Sequence, residues 1–442
     1  MSAANAAGHH RKNDMRDLAV AYADDLAAFI EASPSSYHAA AEVARRLEAA
    51  GFVRLLEHED WSAQAARIAS APGAVVIRDG AVIAWRTPET VDPVAPFRII
   101  GAHTDSPGFK LKPNPSNARH GWLQAGVEVY GGPLLNSWLD RELELAGRIV
   151  TRGGAEHLVR TGPLLRIPQL AIHLDRDANQ ALTLDRQRHV QPVWGTGSEG
   201  DLLERFARSA GVLRDDVVGF DLLTADTAHP ARFGAEGELF AAGRLDNLVS
   251  VHAGVRALLE EHSGLDHISV LAAFDHEELG SESRSGASGP FLDDVLTRVV
   301  LLRGGGSEER ARALAGSWCL SADTGHAVHP NYAEKHDPDN QPRAGGGPLL
   351  KLNANQRYAS DAHGTALWAR VCEAAGVKYQ EFVSNNAVPC GSTIGPLTAT
   401  RLGIRTVDVG APLLSMHSAR ELCHVDDAAA LGSALAAFAA GA

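Results

Sequence analysis

Lysine is scarce in this chain: only six occur in 442 residues, at positions 12, 110, 112, 335, 351 and 378. Asp and Glu outnumber Lys and Arg by 54 to 41, and no stretch concentrates the basic residues. A nucleic-acid partner needs a basic face to displace counterions, so none is expected. Any role that demands an ammonium group has few candidates. Cysteine is rarer still, and Cys319, Cys372, Cys390 and Cys423 show no Cys-x-x-Cys spacing. In a chain of this length they read as reduced, mostly buried thiols, which suits a cytoplasmic location. Long apolar runs are missing too. The longest, 428–442, is Ala-rich and too short to cross a bilayer, so it reads as a core helix and no membrane association is expected. The first residues carry charges with no apolar stretch behind them, so no signal peptide is expected either.

What is present reads as two domains, the natural expectation for this length. Apolar residues recur at helical spacing over 16–32 and 36–50, the second ending at Gly51. Segments 74–77 and 81–85 flank Arg78-Asp79-Gly80 as a hairpin, and 97–100 is a strand running into His103. From 108 to 238 the character changes to Gly, Pro and short alternating segments such as 126–130 and 170–174, with one helix near 200–210. That region reads as a mostly β domain inserted into the first. From about 240, helices and strands alternate: helix 247–262, strand 268–274, helix 290–302, strand 318–321, helix 362–375, strands 379–383 and 405–409, and a last helix. The expected fold is therefore α/β. A mainly parallel sheet with helices on both faces is formed by 1–107 and 239–442, and 108–238 is the β-rich insert.

Five places put His, Asp or Glu just beyond an apolar strand or at a helix start. They hold His103 and Asp105, Asp246, the pair Glu277-Glu278, Asp323 and His326, and His417. Sites in open α/β sheets form at such strand ends. Any one of these residues alone reads as a turn former or a cap; five together point to a site. Two imidazoles and three carboxylates suit zinc, cobalt or manganese better than calcium. One Asp can bridge two ions, leaving one His and one carboxylate for each, and such a pair orients and deprotonates a water. In Glu277-Glu278 one side chain can ligate while its neighbour serves as general base. His276-Glu277 is not the His-Glu-x-x-His zinc motif, because position 280 is Gly. The Gly-x-Gly-x-x-Gly at 195–200 follows no clear strand and reads as a loop, and Cys390 lacks a base nearby in sequence.

Several longer strings carry a resemblance. They are Gly101-Ala102-His103-Thr104-Asp105-Ser106-Pro107, Arg244-Leu245-Asp246-Asn247, Asp275-His276-Glu277-Glu278-Leu279-Gly280-Ser281, Asn353-Ala354-Asn355-Gln356-Arg357-Tyr358-Ala359, Pro389-Cys390-Gly391-Ser392-Thr393-Ile394-Gly395-Pro396 and Met416-His417-Ser418-Ala419-Arg420-Glu421. In this order, from about residue 20 to the end, they resemble the aspartyl aminopeptidase family. The resemblance implies two zinc ions per chain, one held by His103 and Asp323, the other by Glu278 and His417, with Asp246 bridging. Asp105 would fix the His103 tautomer and Glu277 would be the general base. His326, Lys351 and Tyr358 match substrate-contacting positions, with Lys351 the candidate cation for an acidic N-terminal residue, although its own context reads as a strand-edge lysine. His173 matches a histidine that reaches a neighbouring subunit's site, although its own context reads as a half-buried strand residue. The insert matches an oligomerisation domain, and tetrahedral assemblies of twelve chains acting on short peptides with an acidic N-terminus are implied. Ala387 departs from the likeness, since an Asp is expected there. Two alternatives stay open: a two-zinc aminopeptidase of neutral specificity, and a catalytically silent shell-forming protein.

Overall fold

The computed structural model describes residues 3–87, 92–260 and 263–442. Its centre is a nine-stranded sheet in the order Val53–Leu55, Gly73–Arg78, Ala81–Arg86, Ile268–Phe274, Phe97–His103, Trp318–Ala322, Arg405–Gly410, Leu349–Leu352 and Gln380–Val383. The four middle strands, from Ile268–Phe274 to Arg405–Gly410, run parallel. Every residue of Ile268–Phe274 is buried, as a strand covered on both faces requires. One face is covered by Ser36–Ala49, Leu245–Leu259, Ala362–Ala375, Val425–Ala439 and the later part of Ala3–Ala32. Phe291–Leu302, Ser307–Gly316 and Ile394–Leu402 cover the other. Helix and sheet approach closely at Gly254, where a Cβ would stand 2.6 Å from Leu271 Cδ1. The protein is thus α/β with a mainly parallel sheet and helices on both sides.

A second, antiparallel sheet of six strands carries its own core. Its order is Glu156–Arg160, Leu143–Thr151, Val217–Asp226, Gly108–Arg119, Trp122–Tyr130 and Val193–Thr196. The helix Leu202–Ala210, capped by Asp201, presses Phe206 into that core. A third sheet is small but consequential. It joins Ala231–Phe233, Leu239–Ala242, Glu421–His424, Pro412–Leu414 and Gly325–His326. It thereby draws the segments before Asp246, after Asp323 and around His417 together.

Three expectations change. Segment 170–174 is no strand: it lies in turns with Leu170, Ile172 and Leu174 exposed at 56%, 44% and 74%. Among the described residues, its alternating apolar residues find no strand to pair with. His173 is accordingly an exposed residue of that segment rather than a half-buried strand residue. Lys351 is not at a strand edge. Leu349–Leu352 is flanked on both sides, by Arg405–Gly410 and Gln380–Val383, and Lys351 is only 2% exposed. Residues 193–196 form an edge strand, not a loop, but the next helix starts only at Leu202, so no dinucleotide-type turn results.

Candidate metal centre

The parallel strands deliver their chemistry to one edge because their last residues are in register. Phe274 lies beside His103, and the chain after it turns through Glu277 and Glu278. Trp318–Ala322 leads directly into Asp323. Asp246 sits where Leu239–Ala242 gives way to the Leu245–Leu259 helix, at a point whose dihedrals are not helical (φ −80°, ψ 101°). His417 lies in the turn between Pro412–Leu414 and Glu421–His424. Left-handed dihedrals gather here: φ is 60° at Arg244, 63° at His276 and 67° at His417. Such positions are costly for residues with a Cβ and persist where surrounding structure enforces them.

Five side chains converge as two triads. His103, Asp246 and Asp323 offer ligand atoms within 4.8 Å of one another, and so do Asp246, Glu278 and His417. Asp246 belongs to both. Its Oδ1 lies 3.3 Å from His103 Nε2, and its Oδ2 lies 3.3 Å from His417 Nε2. His103 Nε2 is also 3.6 Å from Asp323 Oδ1, and His417 Nε2 is 3.3 Å from Glu278 Oε1. The far side of each ring settles its tautomer. His103 Nδ1 meets the Asp105 carbonyl at 3.0 Å and its carboxylate at 3.5 Å, whereas His417 Nδ1 meets the Gly132 carbonyl at 3.1 Å. These partners only accept, so both Nδ1 atoms carry hydrogen and both Nε2 atoms face the cluster, where a metal would take the place of a proton.

That arrangement fits divalent zinc. Asp246 Oδ1 and Glu278 Oε1 are buried, and among the described residues neither has a hydrogen-bond partner. Buried carboxylate oxygens are ordinarily satisfied, so these two ask for a cation. Charge crowding gives the same message. Burial, reinforced by Asp323, Glu278 and Asp105, pushes the Glu277 carboxyl up to about 8. Burial and Asp246 push Glu278 up to about 7 against the pull of His417. Burial disfavours charge on His417, but the carboxylates of Asp246 and Glu278 beside its Nε2 outweigh it and raise the imidazole to about 11. Without metal the cluster holds protons to offset its own negative charge; cations would displace them.

The other expected residues divide. His326 is exposed, with its ring 6.2 Å from that of Phe382. Lys351 Nζ donates to the Thr324 carbonyl at 2.6 Å and lies 5.4 Å from the centre of the Tyr358 ring. Tyr358 is buried with Leu349 and Phe382, and the partly buried Cys390 packs against them. These residues border Asp323. His173 is in neither triad and lies on the exposed segment. Ala387 is exposed in a loop, its N–H bonded to Asn385 Oδ1. Sequence reasoning missed Glu421, whose buried carboxylate accepts the backbone N–H of both Asp246 (2.9 Å) and His417 (2.7 Å). It also missed Tyr130, whose hydroxyl donates to Asp105 at 2.9 Å. Glu421 closes a string already singled out at His417, the one signal that could have found it.

Comparison with known proteins gives a consistent picture. Residues 29–439 match the Peptidase M18 family, described as aminopeptidase I zinc metalloprotease. A probable M18 family aminopeptidase 2 of Streptomyces avermitilis is 55% identical over 425 residues, covering 94% of this chain and 97% of the relative. A chain of the Ape4 and Nbr1 complex superposes with a TM-score of 0.90 at 36% identity, covering 95% of this chain and 85% of that one. The S. cerevisiae mApe1 dodecamer gives a TM-score of 0.81 at 28% identity, with 94% and 95% covered.

Proposed function

The chain belongs to the M18 family of zinc aminopeptidases, and from that premise we propose that it removes N-terminal Asp or Glu from short peptides, using two zinc ions per chain. The observation that carries the reading is the pair of triads sharing Asp246, with both imidazole Nε2 atoms turned inward. His103 and Asp323 would hold one ion, Glu278 and His417 the other, and Asp246 both. Cobalt or manganese would suit the same donors. Bound there, the ions would polarise the scissile carbonyl and make a water acidic enough to attack it.

The remaining roles fall to side chains. Glu277 lies outside both Asp246 triads, although it offers an oxygen within 4.8 Å of the ligand atoms of His103 and Glu278. It would take the proton of the attacking water and pass it to the leaving amine. Asp105 would keep hydrogen on His103 Nδ1. The free α-amine would be drawn to the acidic cluster, limiting cleavage to the first residue. Acidic preference rests on Lys351. It is buried, and among the described residues no carboxylate forms an ion pair with it. A buried cation without a counter-charge is costly, and a substrate carboxylate would relieve that cost. His326 and Tyr358 would border the same side chain.

Residues 1–107 and 239–442 would form the catalytic domain and 108–238 the oligomerisation domain. The mApe1 relative is a dodecamer. The same assembly here would bury the exposed leucines around His173 and bring that imidazole to a neighbouring site, where it would help to stabilise the oxyanion. Initial rates on matched peptides beginning with Asp, Glu, Leu or Ala, with and without a zinc chelator, test the proposal. Chelator-sensitive cleavage favouring Asp and Glu is expected. A preference for Leu would leave an aminopeptidase of neutral specificity. No cleavage by zinc-replete protein would leave a silent shell-forming protein.

A further inference from the structure

Two of the groups that orient the metal-binding imidazoles come from the inserted sheet, not from the parallel one. Trp122–Tyr130 is an inserted strand, and the two residues after it run beneath the cluster. Tyr130, buried, gives its single hydroxyl hydrogen to Asp105 Oδ2 at 2.9 Å. The same carboxylate faces His103 Nδ1 through Oδ1 at 3.5 Å and accepts the backbone N–H groups of Glu277 and Glu278 at 3.0 and 3.2 Å. The Gly132 carbonyl accepts from His417 Nδ1 at 3.1 Å. Between them, Gly131 has φ 67°, and a Cβ there would come within 3.2 Å of Glu278 Cβ. Three consecutive residues therefore touch Asp105, Glu278 and His417.

We propose that segment 130–132 is the positioning element through which the inserted sheet sets both imidazoles, so that metal affinity depends on the insert as well as on the parallel sheet. The inference rests on the two-zinc reading. Its physical basis is that Tyr130 is, among the described residues, the one hydroxyl that donates to Asp105, beside the backbone N–H groups of Glu277 and Glu278. Tyr130 occupies one carboxylate oxygen and thereby orients the other toward His103. Loss of such an outer partner costs about 10- to 100-fold in metal affinity. At Gly131 any side chain would meet both an unfavourable backbone conformation and the stem of Glu278.

The test removes metal from the full-length protein and refills it with zinc against a chromophoric chelator. The native chain should load two zinc ions. In Tyr130→Phe, which keeps the ring and loses only the hydroxyl, one of the two affinities should fall about 10- to 100-fold with an unchanged circular dichroism spectrum. Gly131→Ala should weaken zinc binding as well. Glu128→Gln, exposed on the same strand, should leave both affinities as they are. A native chain that takes up fewer than two zinc ions would sink the two-zinc reading and this inference with it. Two native sites whose affinities stay within about twofold in Tyr130→Phe would sink the inference alone. A lowered melting temperature of the metal-free variant with unmoved zinc affinities would count the same way, since that is the mark of a purely structural tyrosine.

Discussion

Replacing Lys351 by Met should abolish the preference for an acidic first residue while sparing the rest of the machinery. Lys351 is 2% exposed, and its ammonium has three hydrogens. One goes to the Thr324 carbonyl at 2.6 Å, next to Asp323. A substrate carboxylate that reached the remaining hydrogens would make a charge-assisted contact away from water, worth about 1.5–3 kcal/mol. At about 1.4 kcal/mol per tenfold, the Asp-over-Leu ratio of kcat/KM should fall roughly 10- to 150-fold in Lys351→Met. Methionine has similar length and is apolar, so the loss should fall on acidic peptides and leave Leu peptides within a few fold. The assay is kcat/KM for matched Asp, Glu and Leu peptides, with zinc content measured on the same samples. An unchanged ratio at full zinc content would refute the reasoning, because it would place the specificity cation elsewhere. A parallel fall on all three peptides would assign Lys351 to holding the loop at Thr324 instead.

Four further outcomes are expected. Glu277→Gln should retain zinc by elemental analysis yet lower kcat by about 10²–10⁴, the range for a lost acid–base group; near-native turnover would remove it from that role. Leu174→Glu on the exposed segment should shift light scattering toward smaller species, and His173→Ala should lower turnover without changing zinc content or size. His38 concerns acid stability. Burial, with Arg160 and Arg244 nearby, lowers its imidazole from 6.5 to about 4. The unfolded chain therefore binds the proton first as pH falls, so this group's contribution is complete above 6.5 and is lost between 6.5 and about 4. The melting temperature of the native protein should drop more between pH 7 and pH 5 than that of His38→Gln, and equal drops would clear His38 of the effect.

How much of this was legible in the sequence depends on where each piece of information resides. The parallel core was legible because strands such as Ile268–Phe274 are apolar apart from Ser269 and are followed by residues with chemistry of their own. The side chains of His103, Asp246, Glu278, Asp323 and His417 announce metal chemistry wherever they stand; only their convergence needed the fold. Lys351 misled because a lysine in a strand ordinarily signals an edge, and nothing in Leu349-Leu350-Lys351-Leu352 reveals that two strands flank it. Residues 170–174 misled for the opposite reason. Alternating apolar residues mark a half-buried strand only when a partner exists, and among the described residues none is paired with this segment.

The orienting shell was hidden for a deeper reason. Gly132 acts through a carbonyl that every residue has, and Glu421 acts on the backbone N–H groups of Asp246 and His417 rather than on their side chains. Such roles leave almost no mark on residue identity, because what they require is a place in space. That place is created by pairing Glu421–His424 with Leu239–Ala242, which sets Glu421 opposite Ala242, four residues before Asp246. The same pairing explains why a buried carboxyl is tolerated there: burial and Asp246 push Glu421 up to about 8, but each of its oxygens accepts one backbone hydrogen from the two ligand-bearing segments it holds. Ligand chemistry is thus written in side chains and ligand geometry in strand register, and only the first can be read one residue at a time.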